Sequence, residues 1–194
     1  MINLKNMTQL GIDIYLYKNF LSKEEIDFYN KIILSIEEKD WHQANPEINW
    51  IWHTDPVPEV LEIKDKISKL FSEDLFIGPG NSFVRLLKGA VWGEHSDDYE
   101  FKEIIEKSKN YKEGDSYTEE TVPVYGLIVY FNNFEGGQIY YPKQNVTYHP
   151  KPGDLLIHSS LEHCLHGVKE VKSDVRYSYS NNIRKKIKVP VDGV

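Results

Sequence analysis

The residue pattern predicts a mainly β chain with N-terminal helices, α+β overall, whose β part is a sandwich or barrel. Two amphipathic helical segments occupy much of the first 71 positions, and short β-rich runs separated by turn residues follow Gly78-Pro79-Gly80. The chain has 194 residues, 40% hydrophobic and 27% charged, enough for one well-buried core. One domain is therefore expected over 1–194, with a helical cap region at 1–79 and a β core at 80–183.

From Ser22 to Lys39, Ile26, Phe28, Tyr29, Ile32, Ile33 and Ile36 recur at helical spacing among charged residues. Ser22 and Glu25 form a capping-box pattern, in which each side chain satisfies the other's backbone amide at the helix start. A second helix is expected from Pro58 to Phe71, with Val60, Leu61, Ile63, Ile67, Leu70 and Phe71 as its apolar stripe. Trp41 to His53 between them reads as an aromatic loop, with Trp50 and Trp52 placed to cover an open sheet edge.

Strands are expected at Ser82–Leu87, Val124–Phe131, Gln138–Tyr141, Val146–His149, Asp154–His158 and Arg176–Asn181. Gly136-Gly137 and Pro152-Gly153 mark turns or bulges between them. The charged segment Asp98–Val122 reads as a lid or surface loop, and the basic cluster Arg184–Lys188 as a solvated tail.

A formal charge of -7 and a pI near 5.5 argue against a main role in gripping a nucleic-acid backbone, an affinity that comes from Lys and Arg displacing counterions. Cys164 is the only cysteine, so neither an intrachain disulfide nor a thiolate zinc cluster can form. A metal would have to be held by His and carboxylates. With no apolar run of signal-peptide or membrane-spanning length, the expectation is a cytoplasmic protein without membrane attachment.

His95-Ser96-Asp97 carries an imidazole and a carboxylate two residues apart, which an extended backbone sends out from one face. Two histidines and one carboxylate can bind a metal on one side and leave open positions opposite. The second histidine is not settled by this pattern: His158 ends a predicted strand, while His163 and His166 fall in a loop beyond it.

A set of ordered landmarks surrounds the motif. They are Gly89 to Asp97, then Val129-Tyr130-Phe131-Asn132, then Glu135-Gly136-Gly137-Gln138-Ile139-Tyr140-Tyr141-Pro142, then Pro150-Lys151-Pro152-Gly153-Asp154-Leu155-Leu156, and finally His166-Gly167-Val168 followed by Arg176. This order resembles the prolyl 4-hydroxylase-like branch of the iron(II), 2-oxoglutarate-dependent dioxygenases, over about half the chain, Ser82 to Asn182. Such a resemblance implies a double-stranded β-helix, a jelly roll of cupin-like form, under the helical cap. It also implies iron(II) held by His95, Asp97 and His166, because the family's basic residue for the far carboxylate of 2-oxoglutarate stands ten positions after the distal histidine, and Arg176 is ten after His166. His158 and His163 then become structural, supporting or lid residues.

Two positions depart from the family pattern: Leu86 where a Tyr is common, and Gly126 where a Thr is common. Ser178, on the same strand face as Arg176, and Tyr130 or Tyr125 are the candidates to supply the missing hydrogen bonds to 2-oxoglutarate. Trp92 is the candidate for the substrate mouth. The implied reaction is hydroxylation, most simply of a prolyl residue in a protein or peptide, with O2 as cosubstrate, succinate and CO2 released, and ascorbate as reductant. Asp97 favours hydroxylation over halogenation, because related halogenases leave a small residue there. The alternatives are the same chemistry on a small molecule or nucleobase, a non-catalytic 2-oxoglutarate or metal sensor, and a zinc enzyme. The bland alternative for Arg176 is a surface ion pair with Asp174.

Overall fold

The computed structural model describes residues 2–45, 48–54, 57–80, 82–114 and 116–191, without the side chains of 44, 45 and 48–51. A hairpin of β1 (Thr8–Gly11) and β2 (Ile14–Tyr17) opens the chain. Helix α1 (Lys23–Ser35), β3 (Trp41–Asn45), β4 (Ile48–Thr54), α2 (Val60–Ser68) and β5 (Leu75–Ile77) follow. The rest comprises β6 (Phe83–Leu87), β7 (Trp92–His95), α3 (Lys102–Ser108), β8 (Tyr117–Tyr130), β9 (Ile139–Tyr141), β10 (Val146–Tyr148), β11 (Leu155–Ser159), β12 (His166–Val168) and β13 (Val175–Pro190).

These strands make a double-stranded β-helix. The major sheet runs β1-β2-β11-β8-β13-β6-β4-β3, with β5 also on β13, and the minor sheet runs β10-β9-β12-β7. Strand periodicity sorts the side chains into two layers of core. One parity, with Phe83, Leu127, Val129, Leu155, Ile157 and Tyr179, packs under Tyr29 and Ile33 of α1 and Val60, Ile63 and Ile67 of α2. The other parity puts Tyr130 and Leu156 against Ile139 and Tyr141 of the minor sheet. The site lies between the two sheets, so the helices brace it from behind.

The capping box forms as expected: Glu25 N–H donates to Ser22 Oγ at 3.2 Å, and Ser22 N–H to Glu25 Oε2 at 2.6 Å. Lys66 of α2 reaches the same carboxylate at 2.8 Å and ties the two helices. No helix among the described residues is long and apolar enough to cross a membrane.

Five expectations are corrected. The aromatic loop is the hairpin β3–β4, and β4 pairs with β6, extending the sheet across its edge. Its stability comes from a tertiary contact: the buried Arg85 guanidinium lies 4.5 Å from the Trp41 ring and 5.3 Å from that of Trp52 and pairs with Glu38. Trp52 therefore covers the edge, while the side chain of Trp50 lies outside the described residues. The described residues of 1–79 also contribute five strands beside their two α-helices.

The segment Asp98–Val122 is helical at α3 and becomes strand from Tyr117, and the expected solvated tail is the second half of β13. The two charged stretches pair with each other: Lys186 meets Glu119 at 2.7 Å, and Arg184 Nη2 donates to the Thr121 carbonyl at 2.7 Å. Complementary charge on facing strands makes a ribbon from two segments that separately look solvated. His166, expected in a loop, begins β12.

Gly136 sits at φ +67, where a Cβ would stand 2.1 Å from the Glu170 carbonyl oxygen. Gly136→Ala is expected to cost on the order of 1–3 kcal/mol, since both backbone strain and a clash with main chain oppose it. An unchanged urea midpoint would contradict this.

Candidate metal centre

Antiparallel register builds the site. β12 lies beside β7 with His166 directly opposite His95, bringing the ring centroids to 4.4 Å. The chain turns after β7 and returns Asp97 to the same point, with Oδ1 3.8 Å from His95 Nε2 and 4.0 Å from His166 Nε2. One ligand atom from each of the three residues lies within 4.8 Å of the others, a spacing that a single ion can bridge.

The backbone also sets the tautomers. His95 Nδ1 faces the Gly93 carbonyl at 2.9 Å, and His166 Nδ1 the Cys164 carbonyl at 3.1 Å. A carbonyl only accepts, so each Nδ1 carries the hydrogen and each Nε2 turns a lone pair toward the shared point. This is how a metal-binding imidazole is prepared.

Burial opposes the charge on Asp97, but the His158 hydrogen bond and the neighbouring imidazoles outweigh it and hold the carboxyl at about 2. Burial, with the charges of His158 and His95, pushes His166 down to about 3. Folding thus favours neutral His166, whereas the unfolded chain protonates it near pH 6.5. The stability held by this group is complete above about pH 6.5 and is lost as pH falls toward 3. Metal-free protein is expected to lose Tm over that window, with a shallower slope in His166→Gln; equal slopes would refute the assignment.

A cavity of about 600 Å³ opens over the three ligands, with Leu86, Trp92, Ile128, Val168, Arg176 and Ser178 among its lining residues. Trp92 stacks on His95 with centroids 5.7 Å apart. Arg176 is 2% exposed, and its Nη2 donates to Tyr130 Oη at 3.2 Å. Its Nε is buried without a partner, and among the described residues no carboxylate pairs with it, Asp174 included. A buried guanidinium with an unused donor is costly unless an anion completes it. Ser178 is buried two residues further along the same face.

The structure thus brings together His95, Asp97, His166, Trp92, Tyr130, Arg176 and Ser178. It does not bring Tyr125: that side chain packs on the helix side of the sheet, its ring 5.9 Å from Phe71. Tyr125 and Tyr130 are five positions apart on one strand, so a period of two already separates their faces. His163 bonds Asp13 at 3.0 Å away from the ligands. His158, read as a supporting residue at most, lies against Asp97 with Nε2 3.3 Å from Oδ2. The available signal was its parity with Leu156 on a strand expected to alternate.

No family model and no curated protein sequence matches the chain. Solved structures do. A viral collagen prolyl hydroxylase from Paramecium Bursaria Chlorella virus-1, in its 2-oxoglutarate complex, is 17% identical with TM-score 0.61, over 89% of this chain and 96% of that one. HygX from Streptomyces hygroscopicus, with nickel and 2-oxoglutarate bound, is 11% identical with TM-score 0.59, over 94% and 84%. A prolyl hydroxylase from Trichoplax adhaerens, in complex with a hypoxia inducible factor oxygen degradation domain peptide fragment, is 14% identical with TM-score 0.61, over 92% and 84%. At such identities the likeness is one of architecture, and the chain has the double-stranded β-helix fold of these oxygenases.

Proposed function

We propose that the protein is an iron(II)- and 2-oxoglutarate-dependent dioxygenase that hydroxylates a prolyl residue in a protein or peptide. The observation that carries this reading is one cavity holding both the His95, Asp97 and His166 cluster and the buried, incompletely partnered Arg176. The donor set suits iron(II), and the Arg176 fork suits a carboxylate. When bound, iron(II) with 2-oxoglutarate and O2 supplies the oxidant for C–H hydroxylation, and succinate and CO2 leave.

The chain's own contribution is positional. His95 and His166 present Nε2 lone pairs, and Asp97 adds the anionic oxygen. Arg176, with Tyr130 and Ser178 beside it, would anchor the far carboxylate of 2-oxoglutarate and fix its approach to the ligands. Leu86, Trp92 and Val168 make the cavity wall apolar and limit water near the reacting carbon. Ascorbate is the proposed reductant, and the cytoplasm the proposed location. The prolyl assignment is supported by the ordered sequence landmarks and by the peptide held in the Trichoplax structure.

Anaerobic titration of the metal-free protein with iron(II) and 2-oxoglutarate is expected to produce the weak visible charge-transfer band of a chelated oxoacid. The band should vanish in His166→Ala. Its absence in folded wild-type protein would overturn the proposal. For the substrate, succinate release stimulated by proline-containing peptides is expected to exceed that with free amino acids, other small molecules or nucleobases; the reverse order would reassign the substrate.

A further inference from the structure

We propose that His158 is a positioning residue for the metal-binding carboxylate, that Tyr141 sets its tautomer, and that Gly126 lacks a side chain to admit it. The inference rests on the metal-site reading above. His158 is 2% exposed and Tyr141 is fully buried, so their mutual contact is not a surface accident. Tyr141 Oη lies 2.6 Å from His158 Nδ1, and His158 Nε2 lies 3.3 Å from Asp97 Oδ2.

For a neutral His158 ring, only one arrangement of hydrogens satisfies both contacts. A carboxylate oxygen accepts and cannot donate, so His158 Nε2 must carry the hydrogen that meets Oδ2. Nδ1 is then a lone pair, and the Tyr141 hydroxyl donates to it. The opposite tautomer would set the Nε2 lone pair against a carboxylate lone pair.

The consequence falls on Asp97. With Oδ2 held by His158, Oδ1 is left facing the Nε2 atoms of His95 and His166, at 3.8 and 4.0 Å. The carboxylate can then give one oxygen to the ion. Were it free to rotate and bind through both, it would consume a coordination position that the chemistry needs open. His158 also lies against the His166 ring, centroids 4.1 Å apart, so it touches two of the three ligands. It does not belong to the ligand set, which comprises His95, Asp97 and His166.

Gly126 explains how an imidazole fits there. It stands directly across from His158 in the β8–β11 register. A Cβ at this position would lie 2.2 Å from Asp97 Oδ2 and 2.2 Å from His158 Nε2. Glycine at 126 and histidine at 158 are therefore one device.

Co(II) binding by the metal-free protein, followed by its visible ligand-field bands, tests the inference. His158→Phe keeps the ring volume and removes the donor, and is expected to weaken Co(II) binding about ten- to a hundred-fold, the range for loss of an orienting partner, with altered bands. His158→Gln returns an amide donor and should recover most of the affinity and the spectrum. Tyr141→Phe removes a single hydroxyl and should shift both readouts in the same direction, which covers the case in which His158→Phe does not fold. Wild-type affinity and spectrum in folded His158→Phe or Tyr141→Phe would overturn the positioning role alone. So would equal losses in folded His158→Phe and His158→Gln. Failure of the wild-type chain to take up Co(II) would instead overturn the metal-site reading, and this inference with it.

Discussion

Arg176→Met is expected to remove 2-oxoglutarate binding while leaving the fold as stable as before, or more so. The two effects have one cause. In the metal-free protein the guanidinium is buried, its Nε has no partner among the described residues, and its Nη2 donates to the Tyr130 hydroxyl at 3.2 Å. Replacing an incompletely paired buried cation by an apolar chain of similar length relieves a desolvation cost. The cosubstrate, by contrast, loses a forked charge-assisted contact to its far carboxylate. Removing one partner of such a pair costs about 2–5 kcal/mol, or about thirty-fold to a few thousand-fold in Kd. Calorimetric titration of Mn(II)-loaded protein with 2-oxoglutarate, alongside Tm measurements without it, reads both signs. An unchanged Kd would remove Arg176 from the binding site; an unchanged Kd with a lower Tm would make it a structural residue.

The second large effect is expected for Asp97→Ala. Asp97 supplies the oxygen ligand, and it also accepts the His158 hydrogen bond that orients it. Its loss removes a ligand outright, so the fall in Co(II) or iron(II) affinity should exceed the roughly hundred-fold upper range for losing an orienting partner. Hydroxylation-coupled succinate formation should fall below detection. Persistent coupled turnover in this variant would show that Asp97 is not a ligand the reaction needs.

Much of this site is local in sequence. The ten-residue step from His166 to Arg176 crosses from β12 to β13 and carries meaning only through the family resemblance, but His95 and Asp97 lie two residues apart and Ser178 follows Arg176 by two. Spacings this short are converted to geometry by the period of a strand, with no knowledge of the rest of the chain. The helices were equally legible, since a capping box and an apolar stripe are properties of consecutive residues. Tyr125 obeys the same period. Its odd offset from Tyr130 places it under the helices and away from the cavity.

Other features were not legible because each depends on a partner far along the chain. Trp41–His53 looks like a loop until Arg85, on a strand more than thirty residues later, is stacked against Trp41 and Trp52. Arg184–Lys188 looks like a solvated tail until Glu119 and Thr121 face it across a ribbon. Each segment alone satisfies its charges with water, and only pairing makes it strand.

Taken by itself, then, the amino-acid sequence determined the fold class, the two helices, the order of the landmark strands and a set of ligand candidates, because these are written in periodicities and short spacings. Tertiary structure alone decided that His166 stands across from His95, that His158 touches Asp97, and that Gly126 leaves the room for both. Cross-strand register is a relation between residues far apart in the chain, 32 positions for Gly126 and His158 and 71 for His95 and His166, set by how two sheets close over a shared core. No local pattern encodes that closure, and the chemistry of this site rests on it.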